Sequence, residues 1–91
     1  MKGFVDGKPM TNVLVDGGAL VNLMPYTTFL KLGKGPEDLL ETDMMLSDFG
    51  GNASKTRGAV NVELTIGSKT LPTTFFVVNG KGTYSLLLGH D

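Results

Sequence analysis

The stretch Asn12-Val-Leu-Val-Asp16-Gly-Gly-Ala19 is where residue types and spacing could do chemistry. An apolar run, Val13 to Val15, carries one carboxylate to its end and delivers it into a turn built on Gly17 and Gly18. The run predicts a buried strand, and paired glycines let a backbone turn tightly or approach another chain closely. A carboxylate placed there is costly unless it is hydrogen-bonded or paired, so Asp16 is the first candidate for general acid–base work. The position equally suits a turn aspartate that caps nearby amides, and in isolation that plainer reading prevails. The best-known chemistry of this kind needs two carboxylates, and the run supplies one.

The composition narrows what could complete the site. The 91 residues contain no cysteine, which excludes a disulfide scaffold and thiol catalysis. The single histidine, His90, cannot build a histidine-rich metal site, and no metal or cofactor is expected. So short a chain buries a modest fraction of its surface, and association with a partner is the remaining source of stability. The formal net charge is −1, with lysines and acids interspersed and no basic stripe for nucleic acid. No apolar run approaches the ~20 residues of a membrane span, and the start lacks the apolar core of a signal peptide. These features predict no nucleic-acid partner, no membrane association and an intracellular location. The run Leu86-Leu-Leu-Gly-His-Asp91 stops abruptly, so residues 1–91 are expected to be a single domain excised from a longer polyprotein.

The elements that must position Asp16 follow from pattern. Residues 2 to 15 predict a β-hairpin around Gly7-Lys8-Pro9, and Leu20 to Met24 a second apolar strand. Pro25 suits a helix start, Phe29, Leu30 and Leu32 an apolar helix face, and Gly33 its C-terminal cap. Pro36 to Leu40 could add one helical turn. Met44 to Phe49, leading through Gly50-Gly-Asn-Ala-Ser54 into Gly58 to Ile66, predicts a long hairpin with a glycine-bearing tip. Val60, Val62, Leu64 and Ile66 alternate with polar residues, the period of a strand with one wet face. Lys69 to Val78 and Tyr84 to Leu88 predict two more strands. About six or seven strands and one helix make an all-β domain, with a closed or folded-over sheet managing its edges.

Taken in order, these features resemble the retropepsins, and most closely the protease segment of plant Ty3/gypsy-type retrotransposon polyproteins. The resemblance spans the chain and is carried by Val13-Leu-Val-Asp-Gly-Gly-Ala-Leu-Val-Asn-Leu-Met-Pro25, Val62-Glu-Leu-Thr-Ile-Gly-Ser-Lys-Thr-Leu-Pro72 and Tyr84-Ser-Leu-Leu-Leu-Gly-His-Asp91. It implies a retropepsin-like closed β-barrel with one short helix, one lobe per chain. It further implies an aspartic endopeptidase that works as a homodimer on an extended polypeptide substrate, a retrotransposon polyprotein. Asp16 would be the catalytic residue in a loop with Gly17, Gly18 and Ala19, facing its symmetry mate. Phe49, Gly50, Gly51, Asn52 and Ala53 would form a flap that binds substrate as an added strand. Leu88, Gly89, His90 and Asp91 would support the catalytic loop from behind, and Val15 would pack behind it with Leu88. Ala19, Met45, Phe49 and Ala53 would line substrate pockets.

Two positions depart from the family pattern. Gly17 stands where Ser or Thr is usual, and that hydroxyl normally bonds across the dimer and stiffens the loop. His90 stands where arginine is usual. Gly17 therefore keeps open a second reading, a weak or inactive retropepsin-fold module for dimerisation or peptide binding. Other matches carry less: Asp48-Phe-Gly50 lacks the companion kinase motifs, Asn52-Ala-Ser54 is a sequon without secretory context, and Met44-Met45 reads as core filling.

Overall fold

The computed structural model describes residues 3–18, 21–43, 45–47, 53–79 and 84–89. Strands β1 (Gly3–Val5) and β2 (Lys8–Met10) form an antiparallel hairpin, Gly3 opposite Met10. Its turn is Asp6-Gly7, with φ of 49° and 82°, the left-handed pair that a two-residue hairpin matching the strand twist requires. The expected hairpin over 2–15 is therefore shorter. Asn12, at φ 55°, redirects the chain, and β3 (Val13–Asp16) joins a different neighbour. Pro9 has no N–H to donate and sits in the sheet's edge strand, where its loss is tolerated.

The first turn is tied down from three sides. The Asp6 N–H donates to the Glu63 carbonyl and the Glu63 N–H to Asp6 Oδ1, both at 2.9 Å. Lys34 Nζ lies 3.4 Å from Asp6 Oδ2, and Lys8 Nζ donates to the Leu32 carbonyl at 2.8 Å. That last bond satisfies a helix C-terminal carbonyl and places a cation at the negative end of the dipole.

Strand β4 (Leu23–Pro25) leads directly into α1 (Tyr26–Lys31), with extended Pro25 as N-cap. Gly33, at φ 79°, takes the left-handed position just past the C-cap Leu32. Phe29 and Leu32 are buried, but Leu30 is half exposed; so short a helix presents a narrow apolar stripe. Pro36–Asp38 forms one 3₁₀ turn.

The expected long hairpin is two separate devices. Among the described residues β5 (Met45–Ser47) pairs only with β6 (Ala53–Lys55), as a two-stranded antiparallel ribbon. Gly58 then starts β7 (Gly58–Ile66), which turns at Gly67-Ser68 into β8 (Lys69–Val78). β9 (Leu86–Gly89) is the last strand. Nine strands are thus present among the described residues, against the expected six or seven. Met45 is half exposed and not core filling; Met44 lies outside the described residues.

Seven strands make one sheet in the order β2-β1-β7-β8-β4-β9-β3. Its edge strands β2 and β3 are joined by two residues, Thr11 and Asn12, so the sheet must curl until its edges meet. The result is a nearly closed barrel with one short helix, as the sequence predicts. The alternation along β7 turns Val60, Val62 and Leu64 inward against Phe75 and Val77 of β8, with Val5, Met24, Phe29 and Leu86 completing the core. Burying each of the larger side chains contributes about 1.5–3 kcal/mol relative to exposure.

Candidate active site

β3 and β9 run parallel in the register Val13↔Leu86, Leu14↔Leu87, Val15↔Leu88 and Asp16↔Gly89. Parallel pairing of strands so far apart in sequence sets Asp16 against the Gly89 end of β9. Only Val13 is buried in β3, at 2% exposure; Leu14 is 45% and Val15 56% exposed. The expectation of a buried strand holds for its first residue alone, and Val15 does not pack behind the loop within one chain. The cause is topological: β3 is an edge strand with β9 as its neighbour. Leu88 is half-buried and packs on the core.

Asp16 is exposed, not buried, and its Oδ1 accepts the Gly18 N–H at 2.9 Å. This is the turn-capping bond of the plainer reading, and it engages one of the two carboxylate oxygens. The two glycines differ. A Cβ at Gly17 would meet nothing within 4 Å, whereas one at Gly18 would lie 3.4 Å from Asp16 Oδ1. A side chain at Gly18 would thus make an ordinary contact with the carboxylate, and Gly17 faces open space.

One residue of the site escapes the sequence reading. Asn22 Oδ1 accepts the Gly89 N–H at 2.9 Å, and Asn22 Nδ2 donates to the Thr74 carbonyl at 3.2 Å. The Asn22 carbonyl accepts the Phe76 N–H at 2.9 Å. The available signal was an amide side chain interrupting the apolar run from Leu20 to Met24.

Asp16, Gly17, Gly18, Leu88 and Gly89 therefore come together at one end of the β3–β9 pair. Ala19, His90 and Asp91 lie outside the described residues, as do Phe49, Gly50, Gly51 and Asn52. Ala53 is described as backbone only, paired with Ser47 at the ribbon's last described rung. Among the described residues no three acids or histidines group as metal ligands. An open cleft of about 510 Å³ is lined, among the described residues, by Pro36, Leu39, Leu40, Glu41 and Arg57, none of them an expected site residue.

Solved structures match this architecture over nearly the whole chain. The retropepsin-like aspartic protease from Rickettsia conorii aligns with a TM-score of 0.73 at 25% identity, over 98% of this chain and 64% of its own. The retroviral protease-like domain of Ddi1 from Leishmania major gives 0.72 at 17% identity, over 97% and 68%. The fold is retropepsin-like. Simian foamy virus protease matches more loosely, with a TM-score of 0.63 at 15% identity, over 97% of this chain and 84% of its own. No protein-family model and no curated protein matches the sequence. The chain thus spans about two thirds of the Leishmania and Rickettsia proteins it matches. Within a retropepsin-like fold, the Asp16 loop is the place where the sequence and the backbone both put a carboxylate at a strand end beside paired glycines.

Proposed function

We propose that this chain is one half of an aspartic endopeptidase, completed by a second copy across a two-fold axis. The observation that carries the reading is Asp16 itself. It is an exposed carboxylate at the end of a strand whose neighbouring apolar residues, Leu14 and Val15, are largely exposed, in a retropepsin-like fold. A second copy would supply the missing carboxylate and cover those side chains in one step.

Two such carboxylates within hydrogen-bonding distance cannot both be ionised at low cost, so they share one proton. The ionised group would take a proton from a water as its oxygen attacks the scissile carbonyl carbon. The protonated group would donate to the carbonyl oxygen, giving a neutral tetrahedral diol. Collapse would break the C–N bond as a proton passes to the leaving amine, with no covalent enzyme intermediate. The β5–β6 ribbon would close over an extended, largely apolar segment of a retrotransposon polyprotein and hold it by main-chain hydrogen bonds.

Gly17 favours a second reading, a dimerisation or peptide-binding module, because no hydroxyl follows the aspartate. One assay separates the two. The domain within its polyprotein is incubated at mildly acidic pH, alongside Asp16→Asn and a statine-type inhibitor. Cleavage abolished by both the variant and the inhibitor supports the protease. Cleavage that survives Asp16→Asn overturns it, and peptide binding without cleavage establishes the module.

A further inference from the structure

We infer that Asn22 is a positioning residue for Asp16, acting through the end of β9; this rests on the reading of Asp16 as an acid–base group. β3 takes its position from β9, and the residue of β9 in register with Asp16 is Gly89. Glycine has the freest backbone of any residue, so its N–H needs an anchor if the strand end is to stay in place. β4 pairs with β9 only at Leu23↔Leu87 and with β8 from Leu23↔Phe76 onward, so no β4 strand residue reaches Gly89 or Thr74.

Asn22 fills that gap with its side chain. Oδ1 holds the Gly89 N–H at 2.9 Å and Nδ2 the Thr74 carbonyl at 3.2 Å, while its backbone carbonyl holds Phe76. The amide carries acceptor and donor on one short planar group, which bridges β9 to β8 at the level of Asp16. Aspartate could only accept there, and leucine, of similar shape, could do neither. A side chain that merely satisfied two backbone groups would affect stability alone. A positioning residue also fixes the geometry of the Asp16–Gly18 turn on the neighbouring strand.

The test uses the ¹⁵N-labelled full chain as wild type, Asn22→Leu, Asn22→Asp and Leu64→Ala, the last a buried substitution on β7 that lowers stability away from the site. The Gly18 amide resonance reports the Asp16 carboxylate through their hydrogen bond. In Asn22→Leu that resonance is expected to move, and Gly89 amide exchange to accelerate about tenfold or more. Leu64→Ala should do neither, and Asn22→Asp should keep Gly89 protected because the acceptor remains. In polyprotein cleavage, Asn22→Leu should lower kcat by up to about 100-fold with KM little changed, as a misplaced reacting group does. Where the leucine variant fails to fold, Asn22→Ser shortens the arm and carries the same readout. An unmoved Gly18 resonance in a folded variant overturns the inference whether or not cleavage occurs. Wild-type cleavage insensitive to Asp16→Asn instead overturns the protease reading, and the amide result still decides whether Asn22 holds the Asp16 turn.

Discussion

The carboxylate of Asp16 accepts the N–H of Gly18 at 2.9 Å, so the residue proposed for catalysis also holds its own turn. The two roles separate by substitution. Asn keeps an acceptor oxygen at the same reach, and Asp16→Asn should unfold in urea within about 0.5 kcal/mol of wild type. Asp16→Ala removes the bond and should cost about 0.5–1.5 kcal/mol. Both should abolish cleavage. Equal stability of the two variants would show that the turn does not depend on the side chain.

Gly17 has open space around its missing Cβ, and its φ lies outside the left-handed region. Gly17→Ser should therefore leave the isolated fold within about 0.5 kcal/mol of wild type, partly by restricting the unfolded chain. If the loop hydroxyl bonds across a dimer, sedimentation equilibrium should show a larger dimer fraction and cleavage should rise with it. An unchanged dimer fraction would remove the hydroxyl from the account of assembly.

Val15, 56% exposed in the single chain, should be silent for folding and costly for association. Val15→Thr is expected to shift the unfolding midpoint by less than about 0.5 kcal/mol. In a two-fold dimer both copies lose apolar contact, and Kd should rise about tenfold, equivalent to about 1.4 kcal/mol. A Kd that does not move would place the interface elsewhere.

Local physics made much of this legible from sequence. Alternation along Val60 to Ile66, the proline-to-glycine frame of α1 and the Gly67-Ser68 turn all depend on near neighbours, and the structure has them where the pattern puts them. What the pattern missed depends on distant partners. Val13-Leu-Val15 looks like a core strand, but its place at the sheet edge is set by pairing with residues 86–89. Asn22 looks like an interruption until Gly89 and Thr74, 67 and 52 residues away, arrive on either side. The second carboxylate that the proposed mechanism requires would come from another copy, beyond any pattern within one chain.

Tyr84 lies just before β9, half-buried, and burial pushes its phenol above the usual 10.0. The unfolded chain therefore releases this proton at lower pH than the folded one. The contribution to stability is fully present below pH 10.0 and is lost as pH rises through the folded value. Tyr84→Phe, which cannot ionise, should flatten the fall in thermal stability above that pH. Superimposable alkaline profiles for the two proteins would assign the fall to other groups.

Gly58 opens β7 after Thr56 and Arg57 link it to the β5–β6 ribbon, at φ 147°, a backbone state that side-chain-bearing residues rarely adopt. A Cβ there would lie 2.8 Å from the Leu40 carbonyl and 3.1 Å from Leu39 Cβ. Leu40 and Ala59 exchange both backbone hydrogen bonds, at 2.8 and 2.9 Å, so the obstructing carbonyl is itself held in place. Gly58→Ala must strain its own backbone or break that bridge, and should cost about 1–3 kcal/mol. Breaking the bridge would free residues 39–40 at the root of the ribbon, so Leu40 and Ala59 amide exchange should accelerate more than exchange in β7 beyond Val60. A uniform acceleration across the barrel would mean that the glycine serves global packing, not the junction between barrel and ribbon.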